Sequence, residues 1–561
     1  MQTTTIHDAV ARLGRAVGEL SFPLELPGAE EATMVAGELE GQIDDYLLPR
    51  LLQIDAPLLA VVGGSTGAGK STLVNSLVGR TVSASGVLRP TTTTPVLVAH
   101  PDDMHWFETG RILPGLARAT GAPPSGSTSL HLIADNDVPR GIALLDAPDV
   151  DSVVQANREL ATQLLAAGDL WLFVTTAARY ADAVPWEFLR RARSRSTALA
   201  LVLNRVPPEA LNEVPQHLSE MLEREGLAGT QVLTVAEVVL SDGHIPAPIL
   251  SEVRGWLDAL AADAGARAEV VRSTLQGALD SIPARIGILS SQLGAQISAG
   301  ESLAADARAA YDAALREVTE GLSGGALLRS EVLARWHEFV GTGDMMRSLQ
   351  LGIGRFRDRL NQVLTGQPPV EKEVRTEVER GIETIVIAAC DKAVERTLEG
   401  WRSSHAGRSL LESEGVPRSS SSQLAAAVES EVRAWQGHVL ELVRAQGANK
   451  RAAGRAVSFG VNAVGAALMI AVFAQTGGLT GGEVAIAGGT AAVSQRLLEA
   501  LFGDEAVRNL TNDARKDLLS RLAGLLDAEA ARFEEVARGA TPDRAAVGEL
   551  EAALAAVEAA R

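Results

Sequence analysis

The chain has 561 residues, 46% hydrophobic and 22% charged, with a formal net charge of −19. That length exceeds one compact core, so two or more domains are expected. The acidic balance argues against nucleic acid as the main partner and against general electrostatic adhesion to anionic lipid, since both need a basic surface.

Ile6, Val10, Leu13, Val17 and Leu20 recur at spacings of four and three, which predicts an amphipathic helix over residues 1–20. The same stretch has no apolar core of signal-peptide type, so secretion is not expected. Pro23, Pro27 and Gly28 break the helix, and a second is expected over 30–52. From Leu58 to residue 260, short apolar runs (LLAVV, PVLVAH, GIALLD, LWLFVTT, ALALVLN, QVLTV) alternate with helical text. That alternation predicts a βαβ domain with a largely parallel sheet. His100, His105 and His131 fall in this region at spacings that fit no compact metal motif. Trp171 and Trp186 are expected in its core.

The first strand is followed by GGSTGAGKSTLVNSLVG. Gly64, Gly69, Lys70 and Ser71 satisfy G-x-x-x-x-G-K-[ST] between a strand and a helix. Glycines let the backbone curl so that its N–H groups converge on phosphate, and the new helix points its N-terminus at the same anion. Gly64, Ser65, Thr66, Gly67, Ala68, Gly69, Lys70, Ser71 and Thr72 are therefore the predicted nucleotide cradle. Lys70 is expected to reach the β- and γ-phosphates and Ser71 to hold Mg²⁺.

The segments that follow resemble the GTPase branch of P-loop proteins, and no LSGGQ-like text of an ABC ATPase occurs. VLRPTTTTPVLVAH offers Thr91, Thr92, Thr93 and Thr94 for the switch threonine. Thr91 and Thr92 fit the separation from Lys70 best, as Mg²⁺ ligands and γ-phosphate sensors. Asp146, ending GIALLD, resembles the aspartate of D-x-x-G, which supports Mg²⁺ through water. Asp149 stands where that motif has glycine, and its carboxylate is expected to disfavour nearby phosphate and turn the loop away. Asn204 and Arg205 resemble the start of N/T-K-x-D, but Pro207 replaces the base-reading aspartate. Residues 232–238 are a weaker base-side candidate. GTP is expected rather than ATP.

After residue 260 the strands give way to helices. Ile282, Ile286, Leu289, Leu293 and Ile297 mark one helix face, with Pro283 expected in its first turn. Cys390, the sole cysteine, reads as a small core residue, and with no second one an intramolecular disulfide is excluded. An uncharged run of 27 residues, 456–482, is long enough to cross a bilayer if helical throughout. Its Gly and Ala content, with Asn462, Gln475 and the GGLTGG turn, reads equally well as a re-entrant hairpin. Lys450, Arg451 and Arg455 just before it suit a cytoplasmic phospholipid surface. The competing reading is a buried Gly/Ala-packed helical pair. Leu518, Leu522, Leu525, Phe533 and Val536 mark a closing helix.

This layout resembles the bacterial dynamin-like GTPases, specifically over 58–240 and by arrangement elsewhere. The resemblance implies an α/β P-loop GTPase domain (55–260) with N-terminal helices (1–54) packing on a helical stalk (261–455). An apolar membrane-interacting hairpin (456–500) and a returning C-terminal helix (501–561) would complete it. It further implies slow or assembly-stimulated GTP hydrolysis, GTP and Mg²⁺ as cofactors, and pairing of GTPase heads as homo- or hetero-oligomers. Membrane lipid would bind through 456–500 at the cytoplasmic face of the inner membrane, with no nucleic-acid partner. Thr66 stands where eukaryotic dynamins carry a catalytic glutamine. The alternative is a soluble regulatory P-loop GTPase whose helical tail binds a protein partner.

Overall fold

The structure is a computed structural model describing residues 2–83, 94–110, 112–119, 129–152, 154–194, 197–323, 370–413, 415–447, 461–474 and 494–561. Two compact units form. One comprises Met1–Phe22, Pro27–Gly294 and Asp543–Arg561; the other comprises Pro23–Leu26 and Ala295–Pro542.

The first unit is built on a sheet that has eight strands among the described residues: β1 (Leu58–Gly64), β2 (Val96–Ala99), β3 (Arg118–Ala119), β4 (Leu130–Ala134), β5 (Ile142–Asp146), β6 (Leu170–Thr176), β7 (Ala198–Val206) and β8 (Gln231–Ala236). Their order is β3-β4-β2-β5-β1-β6-β7-β8. Neighbours pair in parallel except β2 with β5. The six strands expected from sequence are present. β3 and β4 carry no continuous apolar run and escaped that reading.

β1 and β6 are buried along their whole length, as central parallel strands covered on both faces must be. Their pleat deals side chains to two cores. Leu59 and Val61 join one with α5 (His105–Glu108), α6 (Gln155–Ala166), α7 (Ala183–Ser194) and α8 (Glu213–Arg224), including Trp171 and Trp186. Leu58, Ala60 and Val62 join the other with α4 (Lys70–Val78) and α9 (Ser251–Ala262).

A third core of the same unit gathers the N-terminal helices α1 (Gln2–Gly18), α2 (Ala29–Gln42) and α3 (Leu48–Leu52). They meet Leu275–Leu293 of α10 (Ala264–Ser323) and the last helix of the chain, Arg544–Ala560. The expected second helix thus runs through a π-helical turn at Ile43–Leu47. Pro283 lies well inside α10 rather than in a first turn, with Ile282 and Ile286 buried beside it. Packing of that apolar face outweighs the one backbone hydrogen bond a proline removes. The closing helix is in fact two, because Thr541–Pro542–Asp543 interrupts it and Asp543 caps the second by accepting from the Ala545 N–H at 2.9 Å.

The second unit is helical among its described residues: α11 (Val370–Ser403), α12 (His405–Leu411), α13 (Leu424–Gly447), α14 (Val461–Ala474) and α15 (Asp504–Gly539), with the rest of α10. Its core holds Trp401, Trp435, Phe533 and Cys390, whose thiol burial pushes up to about 12. Helix α14 lies inside this core. Leu468 and Met469 are fully buried, and Ile470 nearly so. The Phe473 ring sits 5.8 Å from that of Trp435, whose indole N–H donates to the Ala514 carbonyl at 2.7 Å. A Cβ at Gly465 would come within 2.5 Å of the Leu440 side chain, so glycine permits close helix approach. A helix apolar on nearly every side is either buried in a core or placed in a membrane, and here Val464 and residues 466–473 pack within the helical core. Among the described residues no helix is long and apolar enough to cross a membrane. Lys450, Arg451, Arg455 and the GGLTGG turn lie outside the described residues.

Candidate nucleotide-binding site

The sheet order sends the chain from β1 outward to both sides, so the carboxyl ends of β5, β1, β6 and β7 converge, where open α/β sheets bind ligands. Register places Val62 opposite Asp146, Gly64 opposite Val174, and Thr176 opposite Asn204. The residues picked from three separate segments, 64–72, Asp146 and Asn204 with Arg205, therefore meet at one edge.

Gly64 ends β1 with φ 143°, and a Cβ there would lie 2.1 Å from the Val174 carbonyl oxygen. Gly69 caps α4 with φ 91°, and a Cβ there would lie 2.6 Å from the Asn204 amide nitrogen. Only glycine fits either position. Between them, Ser65 is fully buried with an unpartnered hydroxyl oxygen, Ala68 is buried, and Thr66 and Gly67 are half-buried. Thr72 sits in the first turn of α4, its carbonyl accepting from Ser76 Oγ at 2.6 Å. The Asn204 amide donates to the Ala68 carbonyl at 2.9 Å, fastening the loop to β7. Arg205 is exposed with φ 53°, its N–H donating to Asn204 Oδ1 at 2.9 Å. Non-glycine residues seldom adopt this left-handed region.

Lys70 is buried at the head of α4. Its Nζ donates to the carbonyls of Gly64 at 3.0 Å and Ser65 at 3.1 Å, and pairs with Asp149. Ser71 Oγ donates to Asp146 Oδ2 at 2.7 Å, and Ser83 Oγ donates to the same oxygen at 2.6 Å. Asn75 holds that second serine, accepting from the Val82 and Ser83 N–H groups at 2.8 and 2.9 Å. Burial pushes the Asp146 carboxyl up, against the opposing pull of the two hydroxyls and Lys70. Its Oδ1 is buried with no hydrogen-bond partner. An orphaned carboxylate oxygen beside a hydroxyl at a helix N-terminus suits a hard cation that takes oxygen ligands. Among the described residues no three His, Cys, Asp or Glu gather as a metal cluster, so Mg²⁺ here would complete its shell from phosphate and water. Thr91, Thr92 and Thr93 lie outside the described residues, while Thr94 is buried just before β2.

No family model matches the chain. A probable transmembrane FZO-like chloroplastic GTPase of Arabidopsis thaliana is 25% identical over 189 residues, spanning 32% of this chain and 19% of that protein. A chain from an oligomerised bacterial dynamin pair, described as sensing and tethering membranes, aligns over 100% of this chain and 95% of its own, with 10% identity and TM-score 0.45. Era of Aquifex aeolicus, bound to GDP and aluminium fluoride, aligns over 36% of this chain and 56% of its own, with 17% identity and TM-score 0.24. The chain resembles the bacterial dynamin-like GTPases. That resemblance rests on the motif residues and their order on the sheet. The match to the FZO-like GTPase covers only about a fifth of that relative, whose activity and membrane association are properties of that protein.

Three residues at this edge escaped the sequence reading. Ser83 shares Asp146 with Ser71. Asp151 accepts from the Thr66 N–H at 2.5 Å and from its hydroxyl at 2.7 Å. Arg179, just beyond β6, donates to the Thr66 carbonyl at 2.8 Å and to Asp151 at 3.0 Å. The available signal was the repeated acid of DAPDVD, and an arginine three residues past the end of an apolar strand.

Proposed function

We propose that this chain is a dynamin-like GTP-binding protein that hydrolyses GTP and couples nucleotide state to its helical unit. The observation that carries the reading is the convergence of Lys70, Ser71, Asp146 and a glycine-shaped loop at the carboxyl edge of β1. In this assignment the loop N–H groups and Lys70 hold phosphate oxygens. Ser71 and Asp146 hold Mg²⁺, the latter through water. Mg²⁺ would neutralise charge on the phosphates when bound. Asn204 keeps the loop in register with the base side. Guanine is favoured by the N/T-K-x-D-like placement of Asn204, with Pro207 making the preference modest. Thr91 and Thr92 remain the proposed switch threonines, and pairing of heads remains the proposed route to faster turnover.

Membrane association is the further part of this reading, supported by the motif resemblance and by the uncharged stretch around α14. A second reading, a soluble switch whose helical unit binds protein, is favoured by one observation: Val464 and residues 466–473 pack inside that unit. One experiment addresses both. GTP and ATP turnover is measured over a range of protein concentrations, with and without anionic liposomes, alongside flotation. The first reading expects GTP turnover that rises with protein concentration and a protein that floats. Turnover with no flotation selects the soluble switch. No GTP turnover at any concentration removes the enzymatic assignment.

A further inference from the structure

The nucleotide-site assignment leaves two carboxylates without a role. Asp149 and Asp151 follow Asp146 in the loop leaving β5, and each side chain is 13% exposed. Both turn into the phosphate-binding loop, although Asp149 was expected to turn away from it. Asp149 pairs with the Lys70 ammonium. Asp151 takes the Thr66 N–H and hydroxyl on one oxygen, and Arg179 on the other. The loop is steadied behind them, since the Ala147 N–H donates to Val62 at 3.2 Å and the Val150 N–H to Gly64 at 3.3 Å. Burial alone would push the Asp151 carboxyl up, but Thr66 and Arg179 together hold it below the ordinary carboxylate range. Its negative charge is therefore fixed in place.

The groups held here are an ammonium, a loop N–H and a hydroxyl. They are the donor types a polyphosphate requires, and a carboxylate satisfies them with the same charge sign and the same kind of acceptor oxygen. Lys70 cannot give its full donor set to Asp149 and to a phosphate together. A glycine at position 149, as in D-x-x-G, could not compete at all.

We infer that Asp149 and Asp151 act as an internal anion that competes with nucleotide phosphates for Lys70 and Thr66, so that binding requires the loop over 147–152 to release. This rests on the nucleotide-binding reading. It makes residue 149 a determinant of affinity and ties phosphate entry to movement at the start of α6. Polyphosphate is the competing ligand class, so inorganic pyrophosphate should feel the effect as well as a nucleotide.

The test is calorimetric titration of the full chain with a non-hydrolysable GTP analogue and, separately, with inorganic pyrophosphate. The parent is compared with Asp149→Asn, which keeps shape, and Asp149→Gly, which restores the motif residue. Thermal melting confirms that each variant is folded. Both substitutions should tighten both ligands by about tenfold, the scale of one charge-assisted hydrogen bond. Asp151→Asn should add to the gain. A parent that binds, with Asp149 variants that bind equally or more weakly, overturns the inference and leaves the nucleotide site standing. No binding by parent or variants at millimolar ligand overturns the nucleotide reading, and the inference with it.

Discussion

The loop from Gly64 to Ser71 and the helix α14 make opposite demands on the chain. The loop gathers polar groups at a sheet edge and needs glycine at two positions, where any Cβ would strike Val174 or Asn204. Its chemistry is written in its own backbone, so few other arrangements satisfy the same residues. Helix α14 has one polar contact near its start, where Asn462 accepts from Arg375 at 3.1 Å, and is apolar beyond it. Its other side chains need only apolar surroundings, and Trp435, Leu440 and α15 supply them. A polar site specifies its partner; an apolar segment specifies only that it has one.

The largest effect is expected from Leu468→Asp with Ile470→Asp. Two buried carboxylates in an apolar core should cost more than about 5 kcal/mol and unfold the helical unit. Loss of helical circular dichroism with nucleotide binding retained by the sheet is expected. An unchanged melting curve would place these side chains outside the core. Next in size is Arg50→Ala. Arg50 pairs with Asp169 at 3.0 Å, both are buried, and Asp169 also accepts from the Leu59 N–H at 2.8 Å at the start of β1. Removing the cation strands a buried carboxylate and should cost about 3–5 kcal/mol by denaturant unfolding.

Asn204→Ala should act on the loop without dismantling the fold. It orphans the Ala68 carbonyl, which should cost about 1–2 kcal/mol and weaken nucleotide binding several-fold, read by titration. The smallest effect is pH-dependent and bears on α2 and α6. Burial raises the Asp45 carboxyl to about 6 from 3.8. The folded state therefore favours the proton, so the group disfavours folding progressively as pH climbs from 3.8 to about 6, and by a constant amount above that. Asp45→Asn should stabilise by on the order of 1 kcal/mol at pH 7, after allowance for solvent screening, and by nothing below pH 4. Melting temperatures of both proteins across that range check the sign.

The βαβ alternation and the loop were legible because each carries a local signature: continuous apolar runs for strands covered on both faces, and a glycine spacing that backbone geometry demands. Two-residue β3 has no room for a pattern, and β4, LHLIA, mixes His131 into its run. Pro283 was misplaced because its cost is local while its compensation is the long-range packing of α10. Asp151 and Arg179 were missed for a related reason. Their roles exist only once β5 and β6 flank β1, a juxtaposition that the order of the chain does not display. The apolar run at 456–482 was legible as apolar and no further, since lipid and a helical core ask the same of a side chain.

Lys70 is the proposed phosphate-binding cation of the nucleotide site. The most direct test of that role is titration of GTP with Mg²⁺ into the parent and into Lys70→Ala, with melting temperatures showing both folded. Saturable binding by the parent and a loss of at least about a hundredfold in the variant are expected, the scale of a strong charge-assisted contact to phosphate. Equal binding by the two proteins would contradict that role.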